Sequence, residues 1–146
     1  RQLTGLQNNG EIEEIRSVLM CILEKCRICA AENKLTATKK KVNDAVDFID
    51  SNYSRIDMSL NLVADTIGVN ASYLSNIFKK EKGCSLSKYL TQTRLEQAKK
   101  YLTEYPDKTL IEIAESIGYS DVYYFSKNFK KYYGISPSKY QEERKM

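Results

Sequence analysis

Histidine is absent, proline occurs only at Pro106 and Pro137, and no apolar run approaches the roughly 20 residues that a bilayer-crossing helix needs. Without histidine the usual general base is missing. Neither a glycine-rich phosphate loop nor a convergent acidic group replaces it, so nothing in the chain supports catalysis. The four cysteines form no disulfide framework, because Cys21, Cys26 and Cys29 fall within one helical stretch and Cys84 stands alone. Three thiols on one helix cannot close a tetrahedral metal shell. Small apolar thiols in a helix seam, in a reduced cytoplasmic chain, are the simpler expectation over redox sensing. No cofactor is implied, and no direct membrane contact is expected from this segment.

The chain opens Arg1-Gln2-Leu3 without a methionine, which is expected of a piece of a longer protein. Its 146 residues suffice for one medium domain or two small ones. The net charge is only +4, but it is unevenly placed. Five of the 23 basic and five of the 19 acidic residues precede Thr36, which leaves 18 against 14 beyond it. A basic excess confined to one region suits a polyanion-binding module, and by itself it is a weak signal.

Apolar spacing is helical almost throughout, so the fold is expected to be all-α. From about Glu11 to Asn33, Ile12, Ile15, Leu19, Ile22, Cys26 and Cys29 recur at alternating steps of three and four, a short heptad seam. Residues 1–38 are expected to form an N-terminal helical segment, either a dimerisation element or the end of a missing sensor or receiver domain. The polar, basic stretch Thr36–Lys41 reads as a linker. The next helix, near Lys40–Asn52, turns Val42, Ala45, Val46 and Ile49 to one side and opens a second domain over about 39–146.

The chain then repeats itself. Leu60-Asn61-Leu62-Val63-Ala64-Asp65-Thr66-Ile67-Gly68 returns as Leu110-Ile111-Glu112-Ile113-Ala114-Glu115-Ser116-Ile117-Gly118. Tyr73-Leu74-Ser75, Phe78-Lys79-Lys80, Gly83 and Ser87-Lys88-Tyr89 return as Tyr124-Phe125-Ser126, Phe129-Lys130-Lys131, Gly134 and Ser138-Lys139-Tyr140. The offset is 50 residues before the turn and 51 after it, so the second copy holds one extra residue. Each copy reads as a helix-turn-helix, at about 59–83 and about 109–134, joined by a linker helix over about 85–104. Ala64 and Ala114 are the small contacts between helices, and Gly68 and Gly118 supply a left-handed turn. Asn70 and Ser120 are expected at the N-caps of the second helices. Thr109 and Glu112 have capping-box spacing.

With Leu74, Ile77 and Phe78 facing inward, the opposite face of that helix carries Ser72, Ser75, Asn76 and Lys79. With Phe125 and Phe129 buried, the second copy shows Tyr123, Ser126, Lys127 and Lys130 at the same spacing. Such a stripe suits a helix laid in a DNA major groove, where Asn pairs with adenine and Lys reaches guanine acceptors. Lys79 and Lys130, one turn further on, are placed for phosphate, as are Asn70 and Ser120 at the helix starts. The competing interpretation is an ordinary solvated helix face. Tyr73 and Tyr124 are expected to be half-buried, and Arg94 to brace the linker helix rather than touch DNA.

Tyr73-Leu74-Ser75-Asn76-Ile77-Phe78-Lys79-Lys80-Glu81-Lys82-Gly83 followed by Arg94-Leu95-Glu96-Gln97-Ala98-Lys99-Lys100-Tyr101-Leu102 closely resembles the AraC/XylS-family DNA-binding domain. So does Ile113-Ala114-Glu115-Ser116-Ile117-Gly118-Tyr119-Ser120-Asp121 with Tyr124-Phe125-Ser126-Lys127-Asn128-Phe129-Lys130-Lys131 and Gly134-Ile135-Ser136-Pro137. The resemblance covers about Val42 to Glu143, and in texture is most similar to YesN-type response regulators. It implies a seven-helix, homeodomain-like domain of two tandem helix-turn-helix subdomains, here preceded by an extra N-terminal helix. It further implies base contacts at Ser72, Ser75, Asn76, Tyr123, Ser126 and Lys127, and usually transcription activation. Asn76 and Lys127 stand where relatives carry Arg, so bidentate guanine reading by Arg is lost at those positions and DNA shape is left with more of the specificity. The expected partners are double-stranded promoter DNA, RNA polymerase and, through the N-terminal helix, a second copy of the chain. The alternative is a helical protein-interaction module that grips RNA polymerase or a partner regulator.

Overall fold

The computed structural model describes residues 2–145, with side chains over 9–145. Among the described residues there are seven helices and no strand. They are α1 (Gln2–Asn52), α2 (Leu60–Ile67), α3 (Ala71–Lys82), α4 (Leu86–Glu104), α5 (Leu110–Ser116), α6 (Val122–Tyr133) and α7 (Pro137–Lys145). The chain divides into two compact units, Arg1–Lys40 and Lys41–Met146.

In the first unit the described residues are helical throughout, and the heptad residues face solvent. Ile12, Ile15, Leu19 and Ile22 are each more than half exposed, as are Val18 and Leu23 beside them. The expected linker at Thr36–Lys41 does not exist, because that stretch is helical. No glycine or proline interrupts Glu11–Asn52. The two threonines join the helix by bonding backward, Thr36 Oγ1 to the Glu32 carbonyl and Thr38 Oγ1 to the Lys34 carbonyl, each at 2.9 Å. The extra N-terminal helix and the first helix of the DNA-binding domain are therefore one element.

In the second unit two cores form in succession. The first gathers Val42, Ala45 and Ile49 of α1 with Val63 and Ala64 of α2, Leu74, Ile77 and Phe78 of α3, and Leu86 and Leu90 of α4. The second gathers Leu95, Ala98 and Leu102 of α4 with Ile113 and Ala114 of α5, Phe125 and Phe129 of α6, and Tyr140 of α7. The repeat is thus longer than a helix pair. Val42, Ala45 and Ile49 occupy in the first core the places that Leu95, Ala98 and Leu102 take in the second. At the other end Phe78 meets Tyr89 edge-on at 5.6 Å, and Phe129 meets Tyr140 edge-on at 5.9 Å. Helix α4 belongs to both modules, closing one core with its first half and opening the next with its second.

Local chemistry fixes the turns. Ser59 and Ser85 cap α2 and α4 by accepting from the amides of Leu62 and Lys88. Thr109 and Glu112 complete a capping box on α5, and the bonds from the Thr109 amide and hydroxyl hold the Glu112 carboxyl below its ordinary pKa. In both motifs the residue after the turn glycine returns its amide to the small contact residue: Val69 to the Ala64 carbonyl and Tyr119 to the Ala114 carbonyl, each at 2.9 Å. The glycines differ in their surroundings. Gly68 has φ +74° with open space around its missing side chain. Gly118 has φ +93°, and a Cβ there would lie 2.8 Å from Arg94 Nη2 and 2.9 Å from the Tyr53 carbonyl. Gly68→Ala should therefore cost only the left-handed penalty of about 1–2 kcal/mol. Gly118→Ala should cost at least about 1 kcal/mol more, since the neighbours must also shift. Equal losses in urea unfolding would contradict the packing described at Gly118.

Candidate nucleic-acid interface

Helices α3 and α6 are oriented by their buried faces. Leu74, Ile77 and Phe78 hold α3 against the first core, and Phe125 and Phe129 hold α6 against the second. What remains outward follows from this anchoring. On α3, Ser72, Asn76 and Lys79 are exposed and Ser75 is partly so. On α6, Tyr123, Lys127 and Lys130 are exposed and Ser126 is partly so. The repeat-related positions therefore match even in degree of exposure. Each helix ends in lysines, Lys79, Lys80 and Lys82 on α3 and Lys130 and Lys131 on α6, before a left-handed glycine cap at Gly83 or Gly134. Cations there complement the helix dipole and enrich the exposed faces in positive charge.

The starts of the two helices are built differently. Asn70 caps α3, its side-chain oxygen accepting from the amides of Ser72 at 2.8 Å and Tyr73 at 3.3 Å. Ser120 does not cap α6. Asp121 does, accepting from Tyr123 N at 2.8 Å and Tyr124 N at 3.4 Å. The extra residue of the second copy lies in the turn and moves the cap one place on, leaving Ser120 exposed with no capping role. The first motif thus presents a neutral amide at its helix start and the second a carboxylate, which disfavours a phosphate at that point.

The tyrosines beside the stripes are exposed to different degrees. Tyr73 is 40% exposed and Tyr124 57% exposed, so both are about half-buried as expected, whereas Tyr123 is 76% exposed. The Lys41 ammonium lies 5.3 Å from the centre of the Tyr73 ring, and Tyr124 leans on Tyr119 at 6.0 Å. Arg94 does brace the structure. Its Nε donates to the Tyr53 carbonyl at 2.8 Å and its Nη2 to the Arg55 carbonyl at 2.7 Å. Those partners lie 41 and 39 residues away in sequence, and no local pattern reveals them.

Two helices with polar, lysine-ended outer faces, packed on cores that share one connecting helix, define a tandem helix-turn-helix module. A helix-turn-helix domain model matches residues 63–143. The chain is 33% identical to the Msm operon regulatory protein of Streptococcus mutans over 97% of its own length and 50% of that protein's. It is 40% identical to the lactose operon transcription activator of Staphylococcus xylosus over 68% of its own length and 35% of that protein's. The C-terminal domain of the two-component response regulator yesN from Fusobacterium nucleatum matches with a TM-score of 0.64 at 36% identity, covering 66% of this chain and 93% of that one. The chain belongs to the AraC/XylS family of transcription regulators and carries its DNA-binding helix-turn-helix domain. It spans half or less of the two operon regulators it matches.

Reassigning the cap gives a direct check. Asp121→Ala should destabilise the protein by about 1 kcal/mol, Asp121→Asn by a few tenths, and Ser120→Ala by less still. Chemical denaturation that ranked Ser120→Ala as the most damaging of the three would restore Ser120 as the cap.

Proposed function

We propose that residues 41–146 bind double-stranded promoter DNA in a sequence-specific manner, with α3 and α6 in successive major grooves on one side of the duplex. The observation that carries this is the pair of matched outward stripes on α3 and α6, the second motif helices of two modules that share α4. Over its 19 residues α4 spans about 28 Å, against about 34 Å between successive major-groove faces. Ser72, Ser75 and Asn76 read bases in one groove, and Tyr123, Ser126 and Lys127 in the next. Asn70, Lys79 and Lys130 lie toward phosphate, with Asn70 offering the amide nitrogen that its capping role leaves free, while Ser120, beside the Asp121 carboxylate, is the least favoured of the expected phosphate contacts. The protein acts as an activator, in keeping with the name of the Staphylococcus xylosus relative, and contacts RNA polymerase. The same stripes gripping a protein partner instead is the alternative, and salt separates the two.

On a duplex selected from a random pool by this chain, log K should fall steeply with log salt. Lys79→Ala and Lys130→Ala should each flatten that slope by about one unit, since each removes one phosphate contact. Asn76→Ala and Lys127→Ala should instead narrow the preference for the selected duplex over a scrambled one, by about 1–3 kcal/mol each. Salt-insensitive binding, or unchanged preference in both base-contact variants, would mean that these faces do not read DNA.

A second proposal concerns residues 11–33, whose exposed seam fits a parallel two-stranded coil with another copy. Ile12, Leu19 and Cys26 fall at a positions and Ile15, Ile22 and Cys29 at d positions. In that pairing Glu11 meets Arg16 of the second copy, and Val18 meets its Leu23, at flanking positions. Met20, Ile28 and Leu35 lie off the seam and stay uncovered by it. Variants keeping only Cys26 or only Cys29 should form interchain disulfides under mild oxidation, and a variant keeping only Cys21 should not. Equal crosslinking through Cys21 would remove the seam as the contact.

A further inference from the structure

Arg94 sits where the buried face of α4 passes from the first core to the second, between Leu90 and Leu95. Its side chain leaves the helix and reaches both modules. The carbonyls it holds, Tyr53 and Arg55, belong to the segment between α1 and α2 in the first module. Its guanidinium also lies 5.5 Å from the centre of the Tyr119 ring, in the turn of the second motif. Gly118 makes room for this grip, since a side chain there would strike both Arg94 Nη2 and the Tyr53 carbonyl. Tyr53 packs against the edges of both cores, and burial together with Tyr101 pushes its pKa up to about 12.

A continuous helix fixes the distance between two modules mounted on it. The angle between them depends on contacts that bypass the helix, and the Arg94 grip is such a contact. Its geometry is demanding: two charge-assisted bonds from one planar guanidinium, with the Tyr119 ring within cation–π range, leave little room to rotate. In a duplex, one added base pair between half-sites moves the second by about 3.4 Å and turns it by about 35°. A rigid pair of recognition helices cannot follow that change, whereas a loosened pair can.

We propose that Arg94 is a positioning residue that sets the angle between α3 and α6, and thereby the half-site spacing the protein accepts. This rests on both helices occupying successive grooves. The consequence differs from that of a base contact. Losing Arg94 should leave each recognition helix able to read its own half-site while relaxing the demand on the distance between them.

Two measurements test it, one without DNA. With the four cysteines replaced and nitroxide labels at Lys80 and Lys131, the free protein should show one narrow distance distribution. Arg94→Met, which keeps an aliphatic stem, should broaden it, and Arg94→Lys should fall between the two. An unbroadened distribution in folded Arg94→Met would overturn the latch whatever the DNA result. The second measurement uses a duplex selected by the unmutated chain, and the same duplex with one base pair added between half-sites. The ratio of the two Kd values should fall by about tenfold in Arg94→Met, with Kd for a single half-site duplex changed less than about twofold. A ratio that stays the same, or a uniform loss across all three duplexes, would show that Arg94 serves stability alone. Broadening with no duplex selected at all would leave the grip standing, overturn its role in spacing, and locate the failure in the DNA reading.

Discussion

Helix α4 has to satisfy two cores at once, and most of the second unit is arranged around that demand. Leu86 and Leu90 close the first core, and Leu95, five residues on, opens the second together with Ala98 and Leu102. A helix shared in this way cannot be shortened, kinked or rotated without disturbing both halves, because each half relies on it for buried leucines. Deleting such a side chain costs about 2–5 kcal/mol, so the separation of the recognition helices is protected by the same packing that stabilises the fold. The stripes on α3 and α6 are therefore held in place by buried residues that never meet solvent.

The internal repeat is a chain of overlapping modules rather than two motifs in a row. Each module has an entering helix, two helices of the motif and a closing helix, and the closing helix of the first enters the second. The copies have diverged where they meet solvent and where they meet each other. Asn70 caps the first recognition helix and Asp121 the second. Lys41, one residue before Val42, lies over Tyr73, whereas Arg94, one residue before Leu95, turns away to hold Tyr53 and Arg55. The first position stays at the edge of a recognition helix, and the second ties the modules together. Half-buried, Arg94 is held below its ordinary pKa by desolvation, and its charge is met by backbone carbonyls.

How much of this was legible in the sequence depends on the range of the interaction. The helix pairs, the left-handed Gly68, the capping box at Thr109 and Glu112, and the inward faces of α3 and α6 are local features, and local spacing revealed them. The supposed linker at Thr36–Lys41 failed because polar, β-branched threonines resemble a break, yet their hydroxyls can bond back along a helix. Ser120 aligns with the cap only while the offset of 50 residues is carried past the turn; the shift to 51, applied to Asn70, leads to Asp121. The joint at Arg94 was out of reach in detail, since its partners lie some 40 residues away and are backbone atoms. No residue type announces a backbone carbonyl.

Function requires that the two recognition helices engage one face of a duplex together. Guanine methylation protection on a selected duplex reports major-groove occupancy directly. The arrangement described here predicts two protected clusters centred about 10 base pairs apart, one helical turn, with the cluster assigned to α3 weakened by Asn76→Ala and the other by Lys127→Ala. A single protected cluster, or two separated by a half-integral number of turns, would contradict it.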